Sequence, residues 1–263
     1  MTSVLDFRRY RSAGRPILMV TAYDVLQARV VAESEIDAIL VGDSVAMVVH
    51  GHPSTVHATV EMMCLHTAAV RRGAPGKFVV ADMPFLSHRA GRDAAVQAAG
   101  SLIQAGASAV KIEGSTGHED VIAHLVGSGI PVMGHVGLTP QSVNQLGGHR
   151  IQGKTPEAAA RLRAEVRSLA DLGAFACVLE CVPADLAACI TRESSIPTIG
   201  IGAGPATSGQ VLVITDLLGL DSRFRPSFAR RYLDGYAACL NALNHYAQDV
   251  REARFPSPEE VPA

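Results

Sequence analysis

The chain has 263 residues, 48% of them hydrophobic and 18% charged, with 23 Lys and Arg against 25 Asp and Glu for a formal charge of −2. That length suits a single (β/α)8 barrel, and a near-neutral balance with no basic run longer than Arg71-Arg72 or Arg230-Arg231 argues against a nucleic-acid binder. No stretch approaches the roughly 20 apolar residues of a membrane span, and residues 1–15 are polar and basic without an apolar signal core, so a cytoplasmic protein with no membrane partner is expected.

Short β-branched runs alternate with longer Ala-rich stretches along the whole chain, and no linker separates them, so one domain over 1–263 is expected. In chain order the pattern predicts a strand at 17–21, a helix at 25–34, a strand at 38–41, a helix at 59–72 and a strand at 78–81. It continues with a helix at 93–104, a strand at 109–112, a helix at 119–126 and a strand at 132–135. Then come a helix at 156–172, a strand at 175–179, a helix at 184–193 and strands at 198–201 and 211–215. The connection 202–210 is too short for a packed helix, an amphipathic helix near 227–247 closes the array, and the Pro- and Glu-rich tail beyond 254 is expected to be mobile. Eight strands and a terminal helix favour an α/β fold of the closed (β/α)8 TIM-barrel type over an open doubly wound sheet.

Polar residues follow the apolar runs at regular intervals: Tyr23-Asp24, Asp43-Ser44, Asp82, Lys111 with Glu113, His135, Glu180 and Asp216. In a barrel the C-terminal strand ends share one face, so these carboxylates and one lysine would converge there, which is costly unless a cation neutralises them. Each also has a plainer reading, since a carboxylate after a strand commonly caps the next helix and Lys111 with Glu113 could be a simple ion pair. Glu180 differs, because it interrupts the apolar run Val178-Leu179-Glu180-Cys181-Val182, where burial would tune it towards a base.

Hard oxygen ligands without an HExxH helix point to magnesium. His50-Gly51-His52 could bind a metal but sits in a Gly- and Pro-containing loop, where solvated histidines are the plainer reading. Gly200-Ile201-Gly202-Ala203-Gly204 is not a dinucleotide fingerprint, because the third glycine is one residue early and Pro205 follows. Five cysteines (Cys64, Cys177, Cys181, Cys189, Cys239) read as reduced thiols, with the Cys177, Cys181, Cys189 group as small buried hydrophobes and not a zinc site.

Seven stretches in series resemble the ketopantoate hydroxymethyltransferase family. They are Thr21-Ala22-Tyr23-Asp24, Val41-Gly42-Asp43-Ser44-Val45, Ala81-Asp82-Met83-Pro84-Phe85, Val110-Lys111-Ile112-Glu113-Gly114, Gly134-His135-Val136-Gly137-Leu138-Thr139-Pro140-Gln141-Ser142, Leu179-Glu180-Cys181-Val182-Pro183 and Gly200-Ile201-Gly202-Ala203-Gly204. The resemblance runs from about Thr21 to Tyr232. It implies that Asp43 and Asp82 bind Mg2+ with Glu113 supporting the metal, that Asp43, Ser44, Asp82 and Lys111 hold a 2-oxo acid, and that Glu180 is the proton acceptor. It further implies 5,10-methylenetetrahydrofolate as co-substrate, 3-methyl-2-oxobutanoate as acceptor, 2-dehydropantoate as product in pantothenate biosynthesis, and a homodecamer.

The chain departs from the family pattern at Ala46, His50, His52, Leu86, Thr207 and Ser208, which leaves room for a paralogue acting on another 2-oxo acid. A magnesium-dependent barrel of the phosphoenolpyruvate mutase or isocitrate lyase type is a second reading, and a protein that only binds a keto acid is a third. The presence of Asp43, Asp82, Lys111, Glu113 and Glu180 together argues against the third.

Overall fold

The computed structural model describes residues 2–261, which form two compact units divided between Leu212 and Val213. The first unit opens with α1 (Val4–Ser12), unanticipated by the sequence reading, followed by β1 (Ile17–Thr21), α2 (Val25–Glu33), β2 (Ala38–Val41) and the short α3 (Val45–Val48). It continues through α4 (Val60–Gly73), β3 (Phe78–Asp82), α5 (Arg92–Gln104), β4 (Ala109–Glu113), α6 (Glu119–Gly127) and β5 (Val132–Gly137). It ends with α7 (Pro156–Asp171), β6 (Ala176–Glu180), α8 (Ala184–Glu193), β7 (Thr198–Ile201) and β8 (Gly209–Leu212). The eight strands pair in sequence order, all parallel, and β8 returns to β1 to close a (β/α)8 barrel.

Strand alternation explains where the core sits. Apolar residues near the strand starts, among them Ile17, Met19, Ala38, Leu40, Val80 and Met133, form one buried cluster inside the barrel. Helix α1 completes its floor: Phe7 is fully buried, with its ring 5.3 Å from Phe78 and 5.2 Å from Phe175. Burying such a side chain contributes roughly 2–3 kcal/mol. Four charged residues among nine, with Phe7 its one buried residue, carry too weak a periodic signal to announce this helix.

The last strand begins and ends earlier than its apolar run predicts. Gly209 pairs with both Ile17 and Ile199, where an added Cβ would come within 2.3 Å of the Ile17 carbonyl, so only glycine permits this closure. Beyond Leu212 the chain turns, and Val213 caps α9 (Ile214–Leu217). Asp216 therefore lies in a helix of the second unit and not at a strand end, which corrects the sequence reading.

The terminal helix α10 (Gly235–Arg251) starts eight residues later than expected near 227, because Tyr232 and Gly235 donate their amides to Leu217 and Leu218 and hold that stretch as a return segment. In the tail expected to be mobile, Pro258–Glu260 forms a 3-10 turn, and residues 262–263 lie outside the described residues. No helix among the described residues is long and apolar enough to cross a membrane.

Candidate active site

Parallel register brings the polar residues together. Asp82 at the end of β3 is paired with Lys111 on β4, Glu113 at the end of β4 with His135 on β5, and Gly137 at the end of β5 with Glu180 at the end of β6. Lys111 and Glu113 are two residues apart and share the inward face, as period-two alternation requires. Asp43 and Ser44 join them from the turn after β2, where the Asp43 amide donates to Asp82 Oδ2 at 3.0 Å. A Cβ on Gly42 would lie 2.7 Å from Ser44 Oγ, so that close approach depends on glycine.

The contacts decide between the plain and functional readings. Asp24 is a cap and nothing more is required of it: its carboxylate accepts from the amides of Leu26 and Gln27, both at 2.8 Å, at the start of α2. Asp43 and Asp82 cap no helix and are buried. Lys111 does not pair with Glu113 as the simple reading had it; its Nζ lies 3.1 Å from Asp82 Oδ1 and 3.0 Å from His135 Nδ1.

Four carboxyls, those of Asp43, Asp82, Glu113 and Glu180, therefore face one buried ammonium. Burial first, and then the Asp82 charge, raise the Asp43 carboxyl to about 7. Burial likewise pushes Glu113 well above its ordinary range, and it takes Glu180 to about 7 against a partial pull downward from Lys111. Burial alone would discharge Lys111, but Asp82, Glu113 and Asp43 outweigh it and hold the ammonium charged.

His135 is kept neutral by burial and by the adjacent Lys111 ammonium. Because Lys111 donates to Nδ1, the ring proton resides on Nε2, which lies 3.2 Å from Glu180 Oε2. Sequence reasoning noted His135 as a strand-end residue without assigning it work.

Gln141 was also missed as an individual residue, although it stands within a stretch that carries the family resemblance. It occupies the 3-10 turn Pro140–Ser142 and ties the bowl together: its Nε2 donates to Asp43 Oδ2 at 2.8 Å and to the Met83 carbonyl at 2.9 Å, while its amide donates to Glu113 Oε2 at 3.0 Å. Tyr23, fully buried, fixes Ser44 through a 2.8 Å hydroxyl contact.

A divalent cation suits this donor set. Asp82 Oδ1 and Glu113 Oε1 are buried without an aligned hydrogen bond, and the excess of carboxyls over ammonium is the imbalance a hard cation removes. Among the described residues no three side chains of the His, Cys, Asp or Glu type are gathered as a ready metal cage.

The departures from the family pattern have local explanations. Ala46 is fully buried in α3, His50 Nε2 meets His66 Nε2 at 2.9 Å, and the His52 and His57 rings stack at 4.8 Å. Leu86 sits at φ +62°, which costs on the order of 1–2 kcal/mol for a residue with a side chain. Thr207 donates its hydroxyl to the Gly209 carbonyl and Ser208 Oγ accepts from the Thr198 amide, so both serve the turn into β8. All five cysteines are free, but of the Cys177, Cys181, Cys189 group only Cys177 is fully buried, which corrects the expectation for the other two.

Two cavities stand out, and one of them touches the bowl. One of about 410 Å3 adjoins the bowl through Glu113 and Gly137, at the ends of β4 and β5. The other, about 200 Å3, lies between α7 and α8 and contains none of the strand-end residues.

Comparison with known proteins identifies the family. The sequence model of a family described as ketopantoate hydroxymethyltransferase matches residues 1–258. The chain is 51% identical over 252 residues to a 3-methyl-2-oxobutanoate hydroxymethyltransferase of Coxiella burnetii (strain Dugway 5J108-111), covering 95% of each chain. It is 52% identical over 255 residues to the enzyme of the same name from Legionella pneumophila (strain Paris), covering 97% of each. Among solved structures, a phosphoenolpyruvate phosphomutase from Streptomyces platensis subsp. rosaceus superposes with a TM-score of 0.63 at 13% identity, over 100% of this chain and 92% of that one, a likeness of fold alone.

Proposed function

The chain belongs to the ketopantoate hydroxymethyltransferase family and is a hydroxymethyltransferase, and on that premise we propose that it moves a hydroxymethyl group from 5,10-methylenetetrahydrofolate to 3-methyl-2-oxobutanoate. The product is 2-dehydropantoate, a step of pantothenate biosynthesis. The observation that best supports the reading is geometric: four carboxyls, those of Asp43, Asp82, Glu113 and Glu180, meet at the strand ends around the single Lys111 ammonium, and burial holds Glu180 at about 7. A base of that strength is matched to proton abstraction near neutral pH.

In this proposal Asp43 and Asp82 hold Mg2+ and Glu113 supports it, directly or through water. The ion, when bound, supplies Lewis acidity that makes the C3 hydrogen of the keto acid more acidic. Lys111 and Ser44 orient the acid, Lys111 as the fixed positive charge of the bowl and Ser44 through a hydroxyl already positioned by Tyr23. Glu180 accepts the C3 proton, with His135 Nε2 3.2 Å from its Oε2. The C3 carbon then bonds to the methylene carbon of the folate as one of that carbon's two C–N bonds breaks, the C3 proton passing to the freed nitrogen, and a water molecule replaces the second nitrogen to supply the hydroxyl, which leaves tetrahydrofolate. A homo-oligomer, a homodecamer by family resemblance, working in the cytoplasm belongs to the same reading.

The phosphoenolpyruvate mutase type shares the barrel but is less well served by these residues. Cys181, nearest to the base, has its thiol raised to about 11 by burial and then by Glu180, which leaves it a poor nucleophile or acid.

The deciding experiment follows the C3 hydrogen of 3-methyl-2-oxobutanoate by NMR in heavy water, without folate. Exchange that requires magnesium and is lost in Asp82→Ala is the expected result. Exchange that is indifferent to both would refute the assignment of the bowl.

A further inference from the structure

We propose that the 410 Å3 cavity beside the bowl holds the pterin head of the folate co-substrate, and that Glu165 reads its amino-pyrimidine edge. This rests on the folate-dependent reading above and extends it to a residue outside the strand-end set. The cavity is of ordinary size for a small-molecule site. It shares Glu113 with the bowl and is bounded by Gly137 at the end of β5, so a ring seated in it would lie beside the keto acid.

Its walls come from different parts of the chain: Arg89 after β3, Gln145 and Gln152 between β5 and α7, and Arg161 with Glu165 on α7. Glu165 is half-buried, and its Oε1 accepts the Ser115 amide at 2.9 Å, which fixes the carboxylate on one side. Among the described residues its second oxygen has no hydrogen-bond partner, and neither Arg89 nor Arg161 forms an ion pair with it or with any other carboxylate. A helix-borne carboxylate with one oxygen fixed and one free, in a cavity that also holds the guanidinium groups of Arg89, which donates to the Thr116 carbonyl, and Arg161, has a definite complement. That complement is a flat heterocycle offering adjacent N–H donors on one edge and a carbonyl oxygen beside them.

The 2-amino and N3–H groups of a reduced pterin are such donors, and the neighbouring 4-oxo oxygen suits a guanidinium or the amide of Gln145 or Gln152. Charge-assisted bonds of this kind are about twice as strong as neutral ones, so the carboxylate is the expected source of specificity.

Glu165→Gln tests the idea, because the amide keeps an acceptor for Ser115 and removes only the charge that the ring would read. The KM for the folate should rise by about tenfold or more with the KM for the keto acid unchanged, and a folate analogue lacking the 2-amino group should discriminate against wild type but not against the variant. Ala158→Leu, which narrows the same cavity from α7, should raise the folate KM as well. A folate KM within about twofold of wild type in both variants, or equal discrimination against the analogue in both proteins, would overturn the assignment. The folate-free C3 exchange of the wild-type protein reports separately on the bowl, so failure of the cavity assignment and failure of the reaction assignment remain distinguishable.

Discussion

Replacing Glu180 by Gln should slow the chemistry and strengthen the fold in the same protein. Burial raises the Glu180 carboxyl from 4.5 to about 7, partly countered by Lys111 and His149, and its side chain remains only 16% exposed. A carboxyl that binds its proton more tightly when folded contributes fully to stability below about 4.5 and loses that contribution as pH rises through about 7. The interval corresponds to roughly 3 kcal/mol at most, and relaxation around a partly accessible group brings the expectation to about 1–3 kcal/mol. Gln carries no charge to desolvate and escapes this loss.

Urea unfolding of the metal-free proteins at about pH 4.5 and about pH 8 measures the effect directly. The variant should gain on wild type only at the higher pH. Its folate-free C3 exchange should fall by about 10²–10⁴-fold, the usual contribution of a positioned base. Wild-type exchange in Glu180→Gln would refute its role as base. An identical change in stability at both pH values would refute the account of its burial.

Three further perturbations probe other parts of the structure. Lys111→Met leaves the Asp43, Asp82 and Glu113 carboxyls without their only buried ammonium, and should destabilise the metal-free protein by about 3–5 kcal/mol in chemical denaturation; a loss below about 1 kcal/mol would show that the carboxyls are neutral there without it. Gly137→Ala places a Cβ 2.2 Å from the Glu180 carbonyl at a residue with φ +96°, so exchange should drop by at least about tenfold even in folded protein, and unchanged exchange would mean that the β5 end yields without moving Glu180. Phe7→Ala empties the floor of the barrel, far from the carboxyls, and should cost about 3–5 kcal/mol by calorimetry while the folded fraction keeps its KM for the keto acid; an altered KM would show that floor and bowl are coupled.

Much of the barrel was legible from the alternation of short apolar runs with Ala-rich helices, because each strand and each helix announces itself through its own local period. The same linear pattern exposed Asp43, Asp82, Lys111, Glu113 and Glu180, since a charged residue at the end of an apolar run stands out wherever it folds. The family resemblance then attached roles to them.

Other features lie beyond one-dimensional reading because they depend on what is adjacent in space. Asp24 and Asp82 look alike as carboxylates after apolar runs, yet one caps α2 and the other meets Lys111 across the β3–β4 register. The work of Gln141 arises because the turn after β5 folds back over Asp43, 98 residues away in sequence. Helix α1 matters through Phe7, with Val4 and Tyr10 packed beside it, and β8 stops early because the closure geometry at Gly209 and not the hydrophobicity of residues 211–215 sets its span. Sequence determined the strands, the helices and the identities of the reactive groups, since those follow from local propensity and side-chain chemistry. Register, burial and the charge balance of the bowl were decided only by the tertiary structure, because each is a property of residues brought together by the closing of the barrel.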